Sequence, residues 1–549
     1  MRDYTRSVPA SFLSHFPDTF TPSKLQIDVI NKIDRAFSAG KKFVICCAPT
    51  GSGKSFISKT LANTSDQPTE AFEQLIRSYD AYKVDFDGNY SYEQECKNEP
   101  SFGAFALTIT KSLQDQYQEL FTGTDSLKGK TNYVCDVDKN YDTELAPCTF
   151  APMLRDTCWA ENRCPYYNAR NEALLSQFAV LNYKMFLSLP GHVKRKNYLI
   201  CDEASELEDE LIRQFSAEIN YEKLDSYGIS CEKLATDSRD RAFGWMNTLI
   251  DNISSELSNF LSKANKKQNL LSQVEKIKYH FLKNVHRSLT VIQSHWHECE
   301  FIIDIDAKRA IFTPLHANTL SKYIFNHGEK IVLMSATIID HKHFAKSLGI
   351  TDYEYIEVES TFDSNKSPIY ISSKYKPSYN TLQNMLPGIC EQIKLITEHH
   401  KNDKGLIHTH TNAITSFIKE RLKDDRYLCR DTNNTNEDIL KLHTESADPT
   451  VLVSPSLVYG IDLKDNLARF QIIVKLPFLP LSSKRIKKLF ESDKDWYENK
   501  MLNAVVQAAG RATRNKDDFS STYILDGNFI NVVKRARSKL PKHFIDRIH

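Results

Sequence analysis

Short apolar runs, each followed by turn residues and a helical stretch, recur along the chain. They are Lys42–Cys47, Phe105–Thr110, Tyr198–Cys201, Ile331–Met334, Gly405–Thr409, Val451–Ser454, Gln471–Leu476 and Thr522–Asp526. Runs that stay apolar instead of alternating mark strands buried on both faces, the habit of parallel sheets covered by helices. Their number and the helices between them predict an α/β chain with two parallel-sheet domains.

Two segments break this rhythm. Asn132–Pro165 has little periodicity and holds four cysteines. Arg241–Trp296 is strongly helical: Met246, Leu249, Ile253, Leu257 and Phe260, then Leu270, Val274, Ile277, Phe281, Val285, Leu289 and Ile292, recur every three or four residues. That spacing predicts a helical hairpin packed on itself and inserted into the first domain, where it could also wall off a substrate channel. No stretch approaches the roughly 18 consecutive apolar residues of a membrane span.

Composition adds limits. With 41% hydrophobic and 26% charged residues the 549-residue chain is globular and not disordered. The N-terminal MRDYTRSVPASFLSHF lacks the basic and apolar regions of a secretory signal, so an intracellular, cytoplasmic protein is expected. Lys and Arg number 71 against 70 Asp and Glu, which excludes a uniformly basic coat but not a local binding groove. Twelve cysteines in such a protein suggest metal ligation or buried thiols, not a disulfide framework.

Ala48-Pro49-Thr50-Gly51-Ser52-Gly53-Lys54-Ser55 follows the first strand and opens a helix, the context of a phosphate loop with Ala48 in place of its first glycine. Thr50, Gly51, Ser52 and Gly53 would curl backbone N–H groups around phosphate oxygens at a helix N-terminus. Lys54 would reach the β- and γ-phosphates and Ser55 would ligate Mg²⁺. Cys201-Asp202-Glu203 ends another buried strand, placing Asp202 to hold Mg²⁺ through water and Glu203 to orient or deprotonate the attacking water. The following acidic run, Ser205–Glu210, reads as an acidic first helical turn.

Ser335-Ala336-Thr337 follows a strand as a coupling element, and Gln507, Gly510, Arg511 and Arg514 lie three or four apart, as on one helical face. Arg511 and Arg514 can then act as arginine fingers on a phosphate held by the first domain. ATP bridging two domains, and hydrolysis releasing them, makes a motor that pulls a strand. The set resembles superfamily 2 helicases.

Cys135, Cys148, Cys158 and Cys164 are separated by 12, 9 and 5 residues, which fits no simple zinc ribbon and leaves zinc or a [4Fe–4S] cluster open. Gly129–Cys135 and Cys164–Arg170 resemble the edges of the iron–sulfur domain of XPD/DinG-type helicases. Val180–Tyr183 is similar to that family's element before Asp-Glu, and Val451–Pro455, Gly460-Ile461-Asp462-Leu463 and Ile473–Phe478 to its late motifs. The resemblance runs in family order over almost the whole chain. It implies a [4Fe–4S] cluster on the four cysteines, a helical arch, nucleotide contacts from Gln26 and Asp462, and 5′→3′ movement on single-stranded DNA.

Three departures stand out: Ser205 where the family has His, Tyr459 where Glu is usual, and a compact cysteine domain. The first two concern coupling of hydrolysis to DNA. The stretch ahead of Gln26 is also too short for the nuclease domain that some relatives carry.

For nucleic acid, Thr110 and Lys111 at one strand end and Thr411 and Asn412 at another are candidate phosphate contacts. Tyr133, Trp159, Tyr166 and Tyr167 could stack on bases, although packing is the simpler reading of the last two. The basic stretch Lys484–Lys488 could be solvated or touch DNA. His399, His400, His408 and His410 have no further ligands at metal spacing, and Cys46 and Cys47 read as buried thiols.

The expected layout is residues 1–125, 171–215 and 326–345 as a first RecA-like motor domain, 126–170 as the iron–sulfur domain, 216–325 as the helical arch and 346–549 as a second RecA-like motor domain. The expected function is an ATP- and Mg²⁺-dependent helicase on single-stranded or tailed duplex DNA, working as a monomer at the nucleoid, or in a host cytoplasm if virus-encoded. An RNA or RNA–DNA hybrid helicase, and an ATP-gated clamp that does not unwind, are the alternatives.

Overall fold

The computed structural model describes residues 11–49, 51–78, 99–266, 271–359, 363–429, 435–455, 465–510 and 518–549. Strands β1 (Phe43–Cys47), β2 (Ala104–Thr108), β3 (Asp125–Leu127), β4 (Phe178–Asn182) and β5 (Lys196–Asp202) build most of a first sheet. β6 (Ala217–Asn220), β7 (Phe301–Ile305) and β8 (Arg309–Pro314) form a separate antiparallel sheet in the order β6-β8-β7. β9 (Gly328–Ser335) and β10 (Glu354–Glu357) return to the first sheet, whose order is β10-β1-β9-β5-β2-β4-β3 with every pair parallel.

The second sheet is parallel too. It contains β11 (Ile369–Tyr375), β12 (Gly405–His408), β13 (Tyr427–Cys429), β14 (Val451–Ser454), β15 (Phe470–Ile473) and β16 (Ser521–Asp526) in the order β11-β16-β15-β12-β14-β13. The α/β architecture with two parallel sheets is therefore as expected. The boundary at 345 is not: β10 hydrogen-bonds to β1, so the first domain extends past Glu357 and the second sheet opens at Ile369.

Strand geometry explains the unbroken apolar runs. Successive side chains point to opposite faces, so Ile45, Cys47, Leu199, Cys201 and Leu333 enter one core while Val44, Cys46, Ile200, Val332 and Met334 enter another. The parallel strands put their C-terminal ends on one edge, where the loops after β1, β2, β5 and β9 gather. No described helix is long and apolar enough to cross a membrane.

The hairpin comprises helices Arg239–Lys266 and Gln273–His295. They run antiparallel, with Gln293 donating to Asn247, Ser254 facing His286 and Lys278 paired with Glu256. Met246, Leu249, Ile253, Phe260, Leu289 and Ile292 are buried as the period predicts. Val274 and Ile277 are exposed, and Leu282 is buried instead. The cysteine-rich segment sets that face: Lys276 lies 3.7 Å from the Tyr141 ring centroid, and Tyr279 packs on Phe150 at 4.9 Å. Leu270 lies outside the described residues.

Candidate active site

β1 runs into the phosphate loop, and the helix Lys54–Asn63 leaves it. Gly51 and Gly53 have φ of 79° and 78°, the left-handed region that glycine enters without a Cβ clash. At Gly53 a Cβ would also strike the side-chain amide of Gln26. That glutamine accepts from the Ser23 N–H at 2.8 Å and reaches the Gly53 carbonyl at 3.5 Å, so it lies against the loop. The Lys54 ammonium is 3.5 Å from the Ala48 carbonyl, folded over the loop. The Ser52 hydroxyl is buried without a partner among the described residues, which suits a loop shaped for an anion. Thr50 lies outside them.

Asp202 closes β5, two strands from β1 across the intervening β9. Burial pushes its carboxyl up to about 6; the Lys54 charge opposes that shift and Glu203 adds to it. Its two oxygens are held separately. Oδ1 accepts the Glu203 N–H at 3.0 Å, and Oδ2 accepts the Tyr117 hydroxyl at 3.1 Å. Tyr183 donates to the Asp202 carbonyl at 3.0 Å. Glu203 itself has φ 50°, a conformation costing a non-glycine residue about 1–3 kcal/mol. Its carboxylate is thereby turned out of the strand direction, on the turn that leads to Ala204.

The next turn joins both domains. Ser335 donates to the Ser205 hydroxyl oxygen at 2.9 Å, Thr337 N–H donates to Ser335 at 3.3 Å, and Gln507 Nε2 donates to Ser205 at 3.1 Å and to Glu206 at 3.3 Å. Ser205, Ser335, Thr337 and Gln507 therefore meet at one buried point. The helix Lys494–Ala509 that carries Gln507 is capped by Gly510, so of that string Gln507 alone lies in the described helix. Arg511, Arg514 and Asp462 lie outside the described residues, as does Tyr459.

Around this point the seam is polar. Glu208 accepts Trp496 Nε1 at 2.8 Å, pairs with Lys500 at 3.0 Å and has Arg485 at 3.6 Å; Lys500 also reaches Asp209 at 2.9 Å. Burial works against the Lys500 charge, yet Asp209 and Glu208 hold it above the ordinary lysine range. Glu206 is pushed up to about 7 by burial and then by Asp209, against the pull of Lys500 and Gln507. The acidic run is indeed the first turn of a helix, Leu207–Gln214, but it also docks the second domain. The basic stretch goes to the same contact: Lys484 donates to the Ile303 carbonyl, Arg485 to those of Pro314 and Leu315, and Lys488 pairs with Glu300.

The candidate nucleic-acid contacts form a matched pair. Thr110 caps helix Lys111–Leu120 and Thr411 caps helix Asn412–Arg421, each accepting an N–H three residues on at 3.3 Å. In both, the threonine two residues earlier donates to the cap residue's carbonyl, at 3.2 Å from Thr108 and 3.4 Å from Thr409. Two helix N-termini thus project from equivalent strand ends, each able to receive an anion. Lys111 donates to Asn132 at 2.7 Å.

Cys135 and Cys158 are buried, Cys148 and Cys164 half-buried. Burial, then Cys164, Cys158 and Cys135 in turn, push the Cys148 thiol up to about 12, so the four sulfurs sit within one electrostatic neighbourhood. Among the described residues no three His, Cys, Asp or Glu side chains gather into a single-ion site. Tyr166 and Tyr167 are buried packing residues. His400 stacks on Phe470 and bonds Asp403 and Tyr523, and His410 bonds the Phe478 carbonyl; both are structural.

Comparison with known proteins agrees with this layout. The family profile described as Helicase C-terminal domain matches residues 398–547, from the approach to β12 through β16 to the C-terminal tail. A solved XPD helicase superposes with a TM-score of 0.61 at 16% identity, covering 94% of this chain and 98% of that one. Xpd4 from S. tokodaii gives 0.55 at 13% identity, covering 96% and 99%. The chain thus carries a stretch that matches a helicase C-terminal domain and shares the fold of the XPD helicases.

In sequence, the chain is 30% identical over 104 residues to a Caenorhabditis elegans regulator of telomere elongation helicase 1 homolog, covering 16% of this chain and 10% of that protein. It is 28% identical over 167 residues to the ATP-dependent DNA helicase chl1 of Neosartorya fischeri, covering 25% and 19%. The matched stretches thus span a tenth to a fifth of these relatives. Tyr117 is the residue beside Asp202 that sequence reasoning passed over, since nothing local marks a tyrosine in an amphipathic helix.

Proposed function

We propose that the protein is an ATP-dependent DNA helicase that moves 5′→3′ on single-stranded DNA and unwinds tailed duplexes. The observation that carries this reading is the meeting of Ser205, Ser335 and Gln507, which ties the hydrolysis machinery of one parallel-sheet domain to the other. The chl1 relative, an ATP-dependent DNA helicase by its own description, supports DNA as the substrate.

In this reading the loop Thr50–Ser55 cradles the phosphates of ATP, Gln26 borders the nucleotide, and Asp462 completes its contacts from the second domain. Ser55 and Asp202 hold Mg²⁺, which neutralises phosphate charge when bound. Glu203 takes the proton of the attacking water. Lys54, Arg511 and Arg514 stabilise the charge on the transferred phosphoryl group, and Gln507 reports its presence to Ser205. Thr110, Lys111, Thr411 and Asn412 hold the strand by its phosphates, so that closing and opening the seam moves one pair relative to the other.

The cysteines fit a [4Fe–4S] cluster. Four thiols that feel one another's charge do not all ionise without a compensating cationic group. Cys135, Cys148, Cys158 and Cys164 would hold it, and its role is to lock a segment that has little regular structure of its own.

The test is unwinding of 5′- and 3′-tailed duplexes by anaerobically purified protein, with iron and zinc measured on the same preparation. ATP-dependent unwinding of the 5′-tailed substrate, its loss in Lys54→Ala, and about four irons per chain are expected. Unwinding of 3′ tails only overturns the polarity, binding without unwinding favours a clamp, and a colourless zinc protein overturns the cluster.

A further inference from the structure

The ATP site described above makes no use of Tyr117, yet this side chain lies between the two groups read as its magnesium-holding pair. Tyr117 is in the helix that leaves β2, is 2% exposed, and has its ring held by Phe178 and Phe121 at centroid distances of 6.0 and 6.5 Å. Its hydroxyl is 3.1 Å from Asp202 Oδ2 and 3.3 Å from Ser58 Oγ, with the Ser55 hydroxyl beside it.

We propose that Tyr117 is a positioning residue of the ATP site, whose hydroxyl sets the orientation of both Ser55 and Asp202. The proposal rests on the ATP-hydrolysing reading of the phosphate loop. Counting protons gives the reason. A phenol has one proton to donate and an oxygen that accepts. The carboxylate can only accept, so the Tyr117 proton goes to Asp202 Oδ2, and the Tyr117 oxygen is left to accept from a serine. Ser58 can send its proton to the Lys54 carbonyl, 3.2 Å away. Ser55 has the opposite need. A hydroxyl that turns a lone pair toward a cation must aim its single proton elsewhere, and the Tyr117 oxygen lies where that proton can go.

The result is a chain running from Ser55 through Tyr117 to Asp202 Oδ2, while the Glu203 N–H holds Oδ1. Each of the two side chains is thereby fixed in rotation before nucleotide arrives. A phenylalanine ring would fill the same space between Phe121 and Phe178, so packing alone does not call for the hydroxyl.

Tyr117→Phe separates the two roles. A fluorescent, slowly hydrolysed ATP analogue is bound to wild-type and variant protein at increasing Mg²⁺, and melting temperatures are recorded on the same samples. With a hydrogen bond to a charged group removed, the Mg²⁺ midpoint is expected to rise about ten- to a hundredfold while analogue affinity without Mg²⁺ and the fold are retained. The Mg²⁺ dependence of ATP hydrolysis shifts by the same factor, with kcat recovered at saturating Mg²⁺. Ser58→Ala, which leaves the tyrosine–aspartate bond, keeps the wild-type midpoint.

A wild-type midpoint in Tyr117→Phe, with or without a lower melting temperature, overturns the proposal and leaves Tyr117 a core side chain. Tyr117→Met gives the same comparison should the phenylalanine form not fold. Wild-type protein that binds no analogue at all would instead count against the ATP reading itself.

Discussion

Ser205 shows how much one hydroxyl can carry. It is 8% exposed and takes hydrogen bonds from Ser335 of its own domain and Gln507 of the other, so a position where the family pattern has histidine still links the two. An alanine there deletes the shared acceptor without adding bulk. Each lost bond weakens the link by about 0.5–1.5 kcal/mol, or roughly two- to twelvefold. Ser205→Ala is therefore expected to lower DNA-stimulated hydrolysis and unwinding by that order, leaving hydrolysis without DNA close to wild type; equal loss in both assays would show that Ser205 serves the chemistry and not the link. Lys54, Asp202 and Glu203 could be read from sequence because a glycine turn before a helix and carboxylates at a strand end are local patterns. Tyr117 could not, since a tyrosine in an amphipathic helix reads as core, and its partner Asp202 is 85 positions away.

At the scale of elements, the strands that form two apolar faces are legible, β4 apart, and those with one wet face are not. β7 carries Asp304 and β8 alternates, so neither resembles a buried strand. The hairpin was legible as helix, but the face that Gln273–His295 buries near its start is chosen by Tyr141 and Phe150, which no helical period encodes. Likewise the basic stretch 484–488 reads as a surface or a DNA contact until Glu300 and the carbonyls of Ile303, Pro314 and Leu315 are found opposite it. The helix Lys494–Ala509 sets its polar face against the acidic turn, and that contact should respond to pH. Glu206 faces Asp209, Lys500, Gln507 and Glu203, and its carboxyl is pushed up to about 7 from an ordinary 4.5. A carboxyl raised on folding binds its proton more tightly in the folded state, so stability falls as pH climbs from about 4.5 to about 7 and is level above. Glu206→Gln keeps an acceptor for Gln507 and cannot ionise. Melting curves across that window should show a shallower decline in the variant than in the wild type, and parallel curves would mean Glu206 does not titrate at the seam.

For the whole molecule, a net charge of +1 excludes a uniformly basic coat. Of the 71 basic side chains, Lys484, Arg485, Lys488 and Lys500 are spent on the seam and on the approach to the hairpin. Of the candidate contacts with a strand, Thr110, Thr411 and Asn412 are neutral and Lys111 is charged. Its ammonium is held by Asn132, a neutral acceptor that leaves the charge uncancelled. Each phosphate neutralised on a single strand contributes about −0.7 to the slope of log affinity against log salt. Lys111→Ala should therefore reduce that slope by about 0.7 whatever the sequence of the oligonucleotide. Thr411→Ala, which removes a cap but no charge, should weaken binding at every salt concentration with the slope unchanged. Fluorescence anisotropy of a labelled single strand over a salt series measures both, and an unaltered slope in Lys111→Ala would place the strand away from the first domain's capped helix.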